Sequence, residues 1–217
     1  MCPWLARFQQ VFSLRKYSTP PPGRPGKRLM MAGMLIRFFR QPAIDPLQVS
    51  MTGVRMGETF LLVGCDDRVL LAGLGAKVGM SGSAAAVAFD EHQAVRARSA
   101  ASKAGVLLDL KMSRDGEVSF DAASFDMAVV DDTQGGFANR APALRATVLA
   151  NLRRALRVGG RIEVVEGLGS TGLFAKAMPR PAGYDAVAEL GAAGFRPVRV
   201  LAEVTSFRFV EGVSLSA

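Results

Sequence analysis

The chain has 217 residues, 49% of them apolar, with 23 glycines, enough for one large α/β domain and a short extension. Two cysteines (Cys2 and Cys65) and a single histidine (His92) exclude a disulfide scaffold, a Cys/His zinc site and any mechanism needing two imidazoles. The net charge of +8 belongs to residues 1–44, which hold eight Lys/Arg and no acid; the rest is balanced and offers no electrostatic footprint for nucleic acid.

Residues 1–29 read as a basic, disordered arm, because YSTPPPGRPGKR is too rich in Pro and Gly to pack a core. The first residues lack the apolar stretch and small-residue site of a secretory signal. No apolar run approaches the length of a membrane span. A cytoplasmic setting is expected, with organelle import through the basic arm as the alternative. Residues 30–57 read as a helical cover: MLIRFFRQPAI (34–44) is basic and amphipathic, and a helix from Pro46 to Val54 has Asp45 as its cap, with Gly57 ending the stretch.

From residue 58 onward apolar runs alternate with helical patterns. Strands are expected at 59–64, 84–89, 106–112, 124–132 and 161–167, and helices at 68–79, 91–105 and 141–160. That alternation means βαβ units and a doubly wound parallel sheet buried on both faces. The tail breaks the rhythm. After a helix at 184–195, strands at 196–204 and 206–214 follow with almost nothing between them. So short a link allows only an antiparallel hairpin. The sum is a seven-stranded, mostly parallel α/β domain over 58–217.

Five alternating units closed by a hairpin resemble the class I S-adenosylmethionine-dependent methyltransferases. The passages that carry the likeness are ETFLLVGCDD (58–67), AVAFDEHQAVRARSAASKAGV (86–106), FDAASFDMAVVDD (120–132), LRRALRVGGRIEVVEG (152–167) and AELGAAGFRPVRVLAEVTSFRFVEG (188–212). The resemblance implies a Rossmann-like sheet with its last strand antiparallel between two others. It implies S-adenosylmethionine as cofactor and a small-molecule methyl acceptor. Its cofactor contacts would fall on Gly64, Cys65, Asp66, Asp90, Asp115 and Asp131. Asp90 ends the second strand, where a carboxylate accepts both ribose hydroxyls; it is also placed to cap the helix that follows. Asp115 would meet the adenine. Asp131 falls where metal-dependent relatives place a ligand, but their further ligands are missing from VVEGLG, so no metal is expected. Asp131 and Asp132 are otherwise strand-end turn carboxylates. Asp126 resembles a family residue with a structural role, and an exposed surface role is expected of His92.

Two departures stand out. The acidic residue expected in the first strand is Leu62, and the glycine turn reads Gly64-Cys65-Asp66-Asp67-Arg68, keeping one glycine of three. Side chains at 66 and 68 crowd the backbone approach that glycine permits. Asp66 either faces a cationic sulfonium or amino group or is a solvated turn residue. Cys65 reads as a small packed residue. Leu173, Phe174, Ala177 and Met178, in the loop 167–183, either line an acceptor pocket or pack as a lid. No catalytic base is assigned. The competing reading is a catalytically inactive binding module on the same fold. A nicotinamide oxidoreductase is a weaker third, because G-x-G-x-x-G is missing.

Overall fold

The computed structural model describes residues 46–169, 180–204 and 206–215. The arm, the stretch 34–44, the Asp45 cap and the loop residues Leu173, Phe174, Ala177 and Met178 lie outside the described residues. In chain order the elements are α1 (Pro46–Met51), β1 (Thr59–Val63), α2 (Arg68–Val78), β2 (Ser83–Ala88), α3 (Glu91–Ala104), β3 (Leu108–Met112) and β4 (Phe125–Asp132). There follow α4 (Pro142–Ala155), β5 (Leu156–Gly167), α5 (Ala186–Ala192), β6 (Val198–Val204) and β7 (Phe207–Val213). Among the described residues no helix is long and apolar enough to cross a membrane.

The seven strands form one sheet in the order β3-β2-β1-β4-β5-β7-β6. β1 pairs in parallel with β2 and β4, and β7 runs antiparallel between β5 and β6. This is the expected doubly wound α/β sheet with its closing hairpin. Alternate residues of each strand feed two cores, as the two-residue period of a strand demands. Leu61, Val63, Ala128, Val130 and Val164 pack under Val148, Leu149 and Leu152 of α4 and Leu190 of α5. Phe60, Leu62, Met127 and Val129 pack under Leu70, Leu71 and Leu74 of α2 and Ala97 and Ala100 of α3.

The chain steps from β1 outward to β3 and then returns to β4 on the other side of β1. The carboxyl ends of β1 and β4 therefore flank the switch point, where open α/β sheets bind ligands.

One boundary differs from expectation. The helix expected over 141–160 ends at Ala155, and 156–160 open a twelve-residue β5. The periodicity of LRRALRV continues a helix on paper, but Leu156 is fully buried and pairs with Phe125. Gly159, at φ 78°, then donates its N–H to the Ser214 carbonyl at 2.6 Å. Sheet pairing outweighs local propensity here. Smaller differences shorten α1 to end at Met51, β3 to begin at Leu108 and α5 to 186–192.

Candidate functional site

The turn after β1 is built from inside the fold. Gly64 has φ 76°, and a Cβ there would lie 3.1 Å from the Asp131 carbonyl oxygen. Its N–H donates to Val87 O at 2.9 Å. Glycine is thus required by packing against β4 as well as by backbone conformation. Cys65 is buried and unoxidised among the α2-side core residues, and burial pushes its thiol far up, the opposite of a reactive thiolate. Asp67 caps α2, accepting from the Val69 N–H at 2.7 Å.

Asp131 anchors that turn from β4. One oxygen accepts from the Asp67 N–H at 2.7 Å, and the other accepts from the Thr133 N–H at 3.1 Å and the Thr133 hydroxyl at 2.6 Å. It is completely buried, and desolvation raises its pKa to about 7 despite those donors. Leu62 lies in the core. The hold on the turn therefore comes from the end of the neighbouring strand.

Asp66 reaches from the turn to α3 on one side and to the loop after β4 on the other. Its Oδ1 accepts from Gln93 Nε2 at 3.0 Å and pairs with Arg96 Nη2 at 3.3 Å, both on α3. Its Oδ2 is buried, has no hydrogen-bond partner among the described residues, and lies so close to Gly136, in the loop after β4, that a Cβ at 136 would clash with it. Arg96 Nε also donates to the Cys65 carbonyl at 2.9 Å. Gln93 accepts from the Phe89 N–H at 2.9 Å, tying the exit of β2 to the same cluster.

Asp90 caps α3, accepting from the Gln93 N–H at 2.8 Å. Its side chain is about half exposed, and its second oxygen lies 3.9 Å from Arg140. The Arg140 guanidinium lies over the Phe89 ring, 4.2 Å from its centroid. Asp115 sits on an exposed turn beyond β3 with φ 54°. Gly64, Cys65, Asp66 and Asp131 thus stand together, Asp90 joins them through Gln93, and among the described residues Asp115 shares no hydrogen bond or ion pair with them.

On the opposite sheet face, Asp132 and Glu166 are register partners on β4 and β5, and Glu166 faces Arg208 of β7. Asp132 Oδ1 accepts from the Phe137 and Ala138 N–H groups, each at 2.9 Å, while Oδ2 is buried without a partner. Burial raises its pKa to about 6. Glu166 lies 3.1 Å from Arg180 and 3.4 Å from Arg208, and its Arg180 contact is too misaligned to count as a hydrogen bond. Among the described residues the buried Tyr184 hydroxyl has no hydrogen-bond partner. Among the described residues no cluster of three His, Cys, Asp or Glu side chains is arranged to hold a metal.

Asp126 accepts from the Thr59 N–H at 2.8 Å and pairs with Arg157 at 2.7 Å, a structural role at the amino end of the sheet. His92 is exposed. Gln93, Arg96, Arg140 and Gly136 were not legible as site residues. The one signal was the Asp90-x-x-Gln93 spacing of a helix-start box.

No family model and no curated protein matches the chain. Solved structures do. The described architecture superposes on a SAM-dependent methyltransferase from Aquifex aeolicus with a TM-score of 0.62, at 19% identity, over 83% of this chain and 97% of that one. The fold is that of the class I methyltransferases. A SAM-dependent O-methyltransferase from Thermotoga maritima gives a TM-score of 0.57 at 17% identity, over 84% of this chain and 70% of that one. The [4+2]-cyclase SpnF aligns similarly, with a TM-score of 0.55 at 14% identity over 79% of each chain. The methyltransferase fold is therefore shared by a protein named for another reaction, and the residues at the site must carry the functional argument.

Proposed function

We propose that this chain binds S-adenosylmethionine at the carboxyl ends of β1, β2 and β4 and transfers its methyl group to a small-molecule acceptor. The observation that carries this reading is the gathering, at that edge, of buried polar atoms without hydrogen-bond partners among the described residues: Asp66 Oδ2, Asp132 Oδ2, Arg140 Nε and the Tyr184 hydroxyl. Buried polar groups are otherwise almost always paired, so such a gathering marks a place meant for a polar guest. The donor set fits the cofactor. Asp90 has an accessible oxygen for the ribose hydroxyls. Asp66 adds negative charge near both Asp131 and Asp132, one on each face of β4, an acidic surrounding suited to a cationic sulfur. The turn at Gly64–Asp66 and, further out, Asp115 complete the proposed contacts.

When bound, the cofactor supplies an electrophilic methyl group on a positively charged sulfur. The chain's part is alignment and exclusion of water. For a hydroxyl acceptor, Asp132 is the group proposed to take the departing proton: burial raises its pKa to about 6, and one of its oxygens has no hydrogen-bond partner among the described residues. The protein is proposed to work in the cytoplasm, with residues 1–29 as a basic arm.

Calorimetric titration with S-adenosylhomocysteine tests the reading. Asp90→Ala is expected to weaken binding by about 10- to 100-fold, the worth of a charge-assisted hydrogen bond. Equal affinity in both chains removes Asp90 from the site. A second reading, a non-catalytic binding module on this fold, is favoured by the Asp66 side chain lying in the turn where the fold's cofactors approach; absence of binding at millimolar ligand selects it.

A further inference from the structure

Asp66 behaves like a bound ligand more than like a turn residue. Its carboxylate is nine-tenths buried and is gripped on one oxygen by two side chains of the neighbouring helix, Gln93 and Arg96. Both grips are themselves held in place. Gln93 Oε1 is fixed by the Phe89 N–H, and Arg96 Nε by the Cys65 carbonyl, so the amide and the guanidinium present their remaining donors to one spot. The other carboxylate oxygen gains nothing there: it is pressed against Gly136 with no hydrogen-bond partner. A planar guanidinium fork beside an amide is suited to a carboxylate that uses both oxygens. The single side chain reaching this spot from the turn uses one.

We propose that Gln93 and Arg96 form a carboxylate receptor, that Asp66 occupies it from within the chain, and that the amino-acid carboxylate of the bound ligand displaces Asp66 to enter it. The inference rests on the reading that the cleft takes an S-adenosyl ligand, and it names the groups that recognise the amino-acid half. No bond is made or broken; one carboxylate exchanges for another on the same donors. Gly136 matters to the exchange, because the absence of a side chain there leaves the crossing narrow but passable for a carboxylate.

Calorimetry with two probes separates the halves of the ligand: S-adenosylhomocysteine, and 5′-deoxy-5′-methylthioadenosine, which lacks the amino-acid group. In the natural chain the two are expected to bind within about threefold of each other, because Asp66 holds the receptor. Asp66→Gly should tighten S-adenosylhomocysteine by about 10- to 100-fold, the gain of a charge-assisted contact, and leave methylthioadenosine unchanged. Adding Arg96→Leu to Asp66→Gly should abolish that gain. Asp66→Asn, which keeps the volume and weakens the ion pair, should shift S-adenosylhomocysteine in the same direction by less, and serves if the glycine variant melts early. A natural chain that already prefers S-adenosylhomocysteine more than tenfold, with no change in Asp66→Gly, overturns the proposal and leaves the functional reading standing. So does an equal gain for both probes, which indicates simple crowding. Failure of every chain to bind methylthioadenosine sinks the functional reading and this inference with it.

Discussion

Where β1 and β4 begin, Asp126 takes the Thr59 N–H and the Arg157 guanidinium, and Glu58 pairs with Arg161, which also donates to the Gly53 carbonyl at 2.9 Å. Where the same strands end, Asp66 and Asp132 each keep one buried oxygen unpartnered. The amino end of the sheet is finished for stability, and the carboxyl end is left chemically incomplete. Such unevenness locates a site without a motif, because an unpaired buried acceptor costs about 1–3 kcal/mol and is retained only for a reason. Glu163 is the exception that tests this contrast: it lies two residues into β5 from Arg161, is wholly buried, and neither of its oxygens has a hydrogen-bond partner.

The largest effect is expected there. Burial, and then the facing Glu211, raise the Glu163 pKa from 4.5 to about 9, with Arg161 and Lys77 pulling it back. The unfolded chain loses this proton near pH 4.5, whereas the folded chain keeps it up to about pH 9, so stability falls as pH rises through that window. Glu163→Gln should therefore be more stable than the natural chain at pH 8 by a few kcal/mol, or about 5–10 °C in melting temperature, and equal to it near pH 4. Parallel stability curves for the two chains across that range would show that Glu163 is ionised or solvated in the fold.

Next comes the satisfied end. Asp126→Ala strands the Thr59 N–H and frees Arg157, and should cost about 2 kcal/mol in urea unfolding, since it removes a partnered carboxylate. A loss below about 0.5 kcal/mol would mean that this end is no better finished than the other.

At pH 4 the smallest stability effect belongs to the incomplete end. Asp132→Asn keeps the oxygen that accepts the Phe137 and Ala138 N–H groups and discards a charge that burial holds near pKa 6. The natural side chain weakens the fold as pH rises from about 4 to about 6, and the amide does not. Unfolding free energies should agree within about 0.5 kcal/mol at pH 4, with the variant modestly ahead at pH 8, while transfer to a hydroxyl acceptor is lost. Strong destabilisation at pH 8 would make Asp132 a structural residue and end its assignment as proton acceptor.

The fold was legible because its strands are short apolar runs closed by polar turns, as in TFLLVG and FDMAVVDD, and because two strands with no room for a crossover must pair antiparallel. The end of α4 was not, since the periodicity of LRRALRV does not reveal that Leu156 finds a sheet partner in Phe125. At the site, the run of sequence around Gly64 showed which side chains depart from the family pattern but not what holds the turn. That hold comes from Asp131, 64 residues from the Asp67 N–H it accepts, and the grip on Asp66 comes from Gln93 and Arg96, 27 and 30 residues away. Such partners depend on the angle at which α3 crosses the sheet, which a linear pattern does not carry. Asp90 is the intermediate case: its capping role was readable locally, and its availability to a ligand depends on Arg140, which arrives from the far side of the switch point.

The position of β7 has a consequence for how the chain is made. Among the described strands β6 pairs with β7 alone, and β7 is the later of the two to be synthesised. Until Val213 has emerged and β7 has slid in beside β5, the nascent domain displays the open edge of β5, a row of unpaired amides and carbonyls running from Arg161 to Gly167. A ribosome that pauses before β7 has emerged therefore leaves the edge of β5 open to wrong partners.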